Sequence, residues 1–243
     1  MVDHFAGNTP TMLEELLFDL SPDDELHILL WSLGGDGEVA VRLVRSLQDR
    51  CKRLVVFVPD VAKSAGTLFV LGADEVVMGP SSDLGPVDPQ LFIGNPETGK
   101  WAAAKDIIAA VKDATEAVQK APETYPIHAA LLADLDALTV RQAHASLNRT
   151  SELVKTALSC NDSYSPEEVD TLTESLKRSL IETPDTHAAI FGAKDAEGVG
   201  LKSIVQEDPS SEQWQLIWTL WVRYYTLNQR VYEARQASQI MNF

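Results

Sequence analysis

Three apolar runs constrain this chain more than any other feature: "LHILLWS" from Leu26, "RLVVFVPD" from Arg53 and "DEVVMG" from Asp74, each separated from the next by a helix-like segment. A strand that is apolar at nearly every position has both faces buried, and a parallel sheet covered by helices on both sides provides that burial. The glycine turn "LGGDGE" follows the first run, and Val39, Leu43, Val44 and Leu47 then recur at helical spacing. Ser64 to Ala73 reads as a short buried helix between the second and third runs. Strand, helix, strand, helix, strand predicts an α/β fold built on parallel pairing.

The rest of the chain is more helical. Thr11 with Glu14 predicts a capping box ahead of "MLEELLFDL". Trp101 to about Cys160 reads as two helices divided at "APETYP", and Ser165-Pro166-Glu167-Glu168 starts another, with serine as cap and proline in the first turn. "TPDTHAAIFGAKDAEGVGLKSIVQED" predicts a loop, a short helix and a last strand, and "EQWQLIWTLWVRYYTLNQRVYEARQ" a long final helix. The expectation is one domain over residues 1–243, with a helical extension from about 211–243.

Thirty-six acidic residues against twenty basic ones give a formal charge of −16, which repels phosphate backbones and argues against nucleic acid as a partner. Cys51 and Cys160 have no metal-ligand spacing, and Asp36 with Glu38 in a glycine turn reads as a helix-start device, so neither a metal nor a cofactor is expected. His4, His27, His128 and His144 are scattered and read as surface or packed residues. The first twenty residues carry acids where a leader would carry Lys or Arg, and no apolar run reaches the roughly 18 residues of a spanning helix, so a reduced, cytoplasmic setting is the expectation. Trp214, Trp218, Trp221 and Tyr225 fall at helical spacing and read as a surface packed on the body or on a neighbouring subunit; a membrane-surface helix is the less favoured reading, given the acidity.

Ser64 carries the candidate chemistry. Ala62-Lys63-Ser64-Ala65-Gly66 surrounds the hydroxyl with small residues where a strand gives way to a helix, a spacing that resembles a nucleophile elbow but also suits an ordinary tight turn. The glycine turn Leu33-Gly34-Gly35-Asp36-Gly37 follows a neighbouring strand, and two such turns at the same end of a parallel sheet can aim backbone N–H groups at developing negative charge.

Three stretches make a family recognisable: "WSLGGDGEVAVRLVRSL", "VVFVPDVAKSAGTLFVLGADEVVMGPSSDLGPVDPQ" and, more loosely, "HAAIFGAKDAEGVGL". They resemble the serine dehydrogenase proteinase family, a ClpP-like branch of the ClpP/crotonase superfamily to which signal peptide peptidase A is also related. The resemblance implies a spiral of β-β-α units with a largely helical C-terminal half, a homo-oligomer, and peptide-bond hydrolysis by Ser64 with the N–H groups of Gly35 and Ala65 as oxyanion hole. Leu33 and Lys63 stand where the family has Pro and a small or apolar residue. The loop "LGPVDPQ" lacks the histidine that ClpP carries, and Asp88 in it is expected to hold the loop by accepting backbone N–H groups.

The resemblance to signal peptide peptidase A implies a lysine base at the start of the helix after this loop. Lys105 in "KWAAAKDIIAAV" fits that placement, with Lys100, Lys112 and His187 as rivals. Two other readings stay open: an inactive ClpP/crotonase-like scaffold that binds peptides or partner proteins, and an α/β-hydrolase esterase with His187 as its base.

Overall fold

The computed structural model describes residues 5–184 and 186–226. The chain opens with α1 (Thr9–Leu16), whose N-cap position is held by Asn8 without a side-chain capping bond. Pro10 presets helical φ two residues ahead of the expected start, so Thr11 and Glu14 lie inside the helix and the capping box predicted there does not form. Next come β1 (Glu25–Leu29), α2 (Gly37–Gln48), β2 (Arg53–Val58), the two-residue β3 (Val61–Ala62), α3 (Ala65–Leu71) and β4 (Glu75–Met78). Asp36 caps α2 by accepting the N–H groups of Glu38 (2.9 Å) and Val39 (3.4 Å), as its place in the glycine turn suggests.

After β5 (Asp83–Leu84), an antiparallel hairpin forms from β6 (Gln90–Ile93) and β7 (Lys100–Ala103). The helical segment that follows is α4 (Ala104–Lys120), α5 (Tyr125–Leu131) and α6 (Ala137–Leu158), three helices where two were expected. Asp136 makes the extra break: its carboxylate accepts the Thr139 N–H at 2.7 Å and starts α6. The chain continues with α7 (Pro166–Leu176), opened by a Ser165/Glu168 capping box, and a wide π-type turn at Lys177–Glu182. It then forms α8 (Ala193–Gly198), β8 (Ile204–Gln206) and α9 (Glu212–Thr226). The part of the expected final helix beyond Thr226 lies outside the described residues.

The main sheet has the order β1-β2-β4-β8 and is parallel throughout, with Val56 opposite Val76 and Val76 opposite Ile204. Both faces of β2 are covered. Leu54, Val56 and Val58 join the large core with Val44, Leu47, Leu68 and Leu158, while Val55 and Phe57 face the other way, onto Trp214 of α9. The double burial inferred from the apolar runs is therefore supplied by α2, α3 and α6 on one side and α9 on the other. β3 and β5 pair separately, Ala62 opposite Leu84, and carry the chain from the sheet into the loop that faces Ser64's turn. Among the described residues no helix is long and apolar enough to cross a membrane, and Cys51 and Cys160 are both free thiols.

Candidate active site

Ser64 sits between β3 and α3 with φ +51° and ψ −114°, the one non-glycine residue with positive φ among those described. A side chain held in that region costs of order 1–3 kcal/mol, and such strain persists only where the surroundings fix it. The surroundings here do. Every residue of α3 is buried. A Cβ added at Gly66 would sit 3.2 Å from the Ser32 Cβ and 3.4 Å from that of Ala62, so the small residues around Ser64 are required by close packing. Thr67 ties the turn to the following loop, donating to the Ala62 carbonyl (2.7 Å) and accepting the Gly85 N–H (3.1 Å). The Ser64 hydroxyl makes no capping bond to α3, which leaves it available at the turn.

The glycine turn is brought directly against this serine. Gly34 and Gly35 have φ +125° and +128°, and a methyl group on Gly34 would lie 2.9 Å from the Ser64 Cβ and 3.4 Å from its Oγ. Buried Phe5 braces the turn from behind: its N–H donates to the Gly34 carbonyl at 2.9 Å, and its carbonyl accepts the Asp36 N–H at 2.8 Å. The N–H groups of Gly35 and Ala65 make no hydrogen bond among the described residues. These are the two donors that the family resemblance implies. Leu33, at the turn's entrance, is 62% exposed.

Lys63, the departure beside Ser64, is committed elsewhere. Its ammonium pairs with Asp83 and also donates to the Ala189 carbonyl at 3.2 Å, both side chains of the ion pair being largely buried. Lys105 lies at the start of α4, partly buried, and its ammonium donates to the carbonyls of Ile181 (3.1 Å) and Pro184. No hydrogen bond joins Lys105 to Ser64 among the described residues. The rival lysines are more open: Lys100 is exposed on β7, and the side chain of Lys112 is 72% exposed.

Asp88 and His187 form a pair that the sequence reading did not make. Asp88 is 1% exposed, and its Oδ1 lies 2.5 Å from His187 Nδ1; since the carboxylate can only accept, Nδ1 carries the proton. The other carboxylate oxygen takes the Gln90 side-chain N–H at 3.0 Å. Asp88 thus holds its loop by side-chain donors, and the backbone N–H bonds expected of it are not what it makes. A carboxylate in an apolar loop needs a partner when buried, and that requirement was the available signal. Which residue would answer it, 99 positions along the chain, could not be read from spacing.

Comparisons with known proteins bear on the fold and the family. The chain superposes on the 1510-N membrane-bound stomatin-specific protease with a TM-score of 0.50 at 14% identity, covering 85% of this chain and 76% of that one, a likeness of fold alone. Two uncharacterized proteins of Methanocaldococcus jannaschii are similar in sequence. MJ0137 is 28% identical over 179 residues, 74% of this chain and 53% of that protein, and MJ1495 is 32% identical over 81 residues, 32% of this chain and 28% of that protein. The chain therefore spans about half the length of MJ0137 and less of MJ1495. The description "ClpP-like SDH-type serine proteinase" matches residues 15–176, well over half of the chain and inclusive of both glycine and serine turns, and the chain belongs to that family.

Proposed function

We infer that the chain hydrolyses peptide bonds with Ser64 as nucleophile, the N–H groups of Gly35 and Ala65 as oxyanion hole, and Lys105 as general base. The observation that carries the reading is the strained backbone of Ser64, φ +51°, packed against Gly34 at the N-terminus of a wholly buried helix. In the reaction, Ser64 Oγ forms a bond to the substrate carbonyl carbon while its proton passes to the neutral amine of Lys105. The carbonyl oxygen becomes an oxyanion facing two backbone donors, each worth about 3 kcal/mol in acyl transfer. Lys105 then returns the proton to the leaving amine as the C–N bond breaks. A water molecule, activated by the same amine, adds to the acyl-serine and frees Ser64. Lys105 is supported by its place at the start of the first helix after the loop "LGPVDPQ" and by its partial burial, which Lys100 and Lys112 lack.

The substrate is a peptide or protein segment, and the working form is a homo-oligomer. The oligomer is supported by large apolar side chains left exposed: Phe92 and Trp101 on the hairpin, in ring contact at 5.6 Å, and Tyr125, Ile127 and Leu131 on α5. Steady-state hydrolysis of a fluorogenic peptide library by wild type, Ser64→Ala and Lys105→Ala tests the assignment. Both variants are expected to lose at least about 10³-fold in kcat with folding intact. Near-normal turnover in Ser64→Ala would overturn the peptidase reading, and near-normal turnover in Lys105→Ala would overturn the dyad.

A further inference from the structure

The segment Val87–Asp88–Pro89 holds three separate parts of the chain around Lys105. The Val87 N–H donates to the Leu180 carbonyl at 3.0 Å, the Asp88 carboxylate takes His187, and the Pro89 carbonyl accepts the Ala104 N–H at 2.9 Å, at the first residue of α4. Leu180 and His187 lie on either side of Ile181 and Pro184, whose carbonyls accept from Lys105. Ile181 lies within the π-type turn and Pro184 two residues after its end, and the Thr183 N–H that closes the turn reaches back to the Arg178 carbonyl at 2.9 Å. Such turns depart from the ordinary helical ladder and often occur at functional positions. The two carbonyls and the lysine they hold are thus tied to one three-residue segment.

The geometry points to Asp88 and His187 as the positioning pair for the amine of Lys105, an inference that rests on Lys105 being the base. A neutral amine has two N–H donors and one lone pair. With both donors given to Ile181 and Pro184, the lone pair has a single direction left, and that direction receives the Ser64 proton. In the protonated amine the same two carbonyls leave one N–H, the one returned to the leaving group. The carbonyl pair does for this lysine what a carboxylate does for a catalytic histidine: it fixes which way the proton-accepting lone pair points. The bond from His187 Nδ1 to buried Asp88 fixes the carbonyl pair in turn. His187 acts through its Nδ1 donor and touches no reacting atom.

Two substitutions separate this role from a structural one. Asparagine places its amide nitrogen close to where Nδ1 stands, so His187→Asn keeps the donor without the imidazole, while His187→Ala removes both. His187→Ala is expected to lower kcat about 10- to 100-fold with KM within about two-fold of wild type, and His187→Asn to keep kcat within about three-fold. A second measurement reads Lys105 itself. Acetylation by N-hydroxysuccinimidyl acetate, quantified by mass spectrometry on the peptide that contains Lys105, is expected to be several-fold faster in His187→Ala than in wild type or His187→Asn. A Lys105 acetylation rate unchanged in His187→Ala overturns the inference, as does a His187→Asn variant as inactive as His187→Ala, which would make the imidazole itself the reacting group. If wild type shows no Ser64-dependent turnover, the peptidase reading fails instead, and the acetylation rates still report separately whether His187 holds Lys105.

Discussion

A methyl group added at Gly34 would meet the Ser64 Cβ at 2.9 Å, on a backbone whose φ of +125° is strained for any L side chain. Gly34→Ala is therefore expected to push Ser64 out of register with the oxyanion donors. A displacement of about 1 Å can cost about 10²-fold in rate, and the unfavourable φ adds about 1–2 kcal/mol of destabilisation. Peptide turnover and thermal melting of that variant check both, and wild-type values for either would show that the turn tolerates a side chain. Much of this was legible in the residues themselves. Small side chains around Ser64 and the paired glycines are local signals, because each is imposed by a close approach within a few positions of chain. The long-range partners were not legible: Lys63 with Asp83, and Asp88 with His187, depend on which strands and loops the topology brings side by side.

Elements read from periodicity fared well where burial is two-sided and poorly where a helix is largely exposed. β1, β2, β4, α2, α3 and α7 fall where the apolar runs and caps put them. The hairpin from Gln90 to Ala103 went unread, and within Trp101–Cys160 the break at Asp136 was missed, because a surface rich in Ala, Leu and acids carries no strong period. α9 is held to the sheet by Trp214, which is 5% exposed and packs on Val55, Phe57 and Val77. Trp214→Ala should cost about 3–5 kcal/mol by denaturant unfolding, and a loss below about 1 kcal/mol would mean that α9 contributes little to the fold. α2 and α6 are bridged by Glu38 and Arg149, and the hydrogen bond from Arg149 is the largest reason that the Glu38 carboxyl is held below its ordinary value of 4.5. The folded-state value is the lower one, so this pair's contribution is present above 4.5 and is lost as pH falls through the lowered value. Both groups are half exposed, so solvent screens the pair and the contribution is small. Glu38→Gln should thus melt slightly below wild type at pH 7, and the difference should vanish in acid; a difference that persists or grows in acid would contradict the assignment.

At the scale of the whole molecule, a formal charge of −16 coexists with exposed aromatic and aliphatic residues on the hairpin and on α5. Water-exposed apolar surface of that kind is normally covered by another copy, and light scattering should report a multiple of 26.6 kDa. A 26.6 kDa species at micromolar concentration would contradict the oligomer. The parallel sheet, the glycine turn and the strained serine converge at one point, and the central claim is that Ser64 is an activated nucleophile there. Intact-mass spectrometry after incubation with a fluorophosphonate tests this most directly. One adduct per chain is expected, mapped to the peptide containing Ser64, absent in Ser64→Ala and slowed by at least about 10²-fold in Lys105→Ala. A wild-type protein that stays unlabelled in its assembled form, or an adduct that survives in Ser64→Ala, would contradict it.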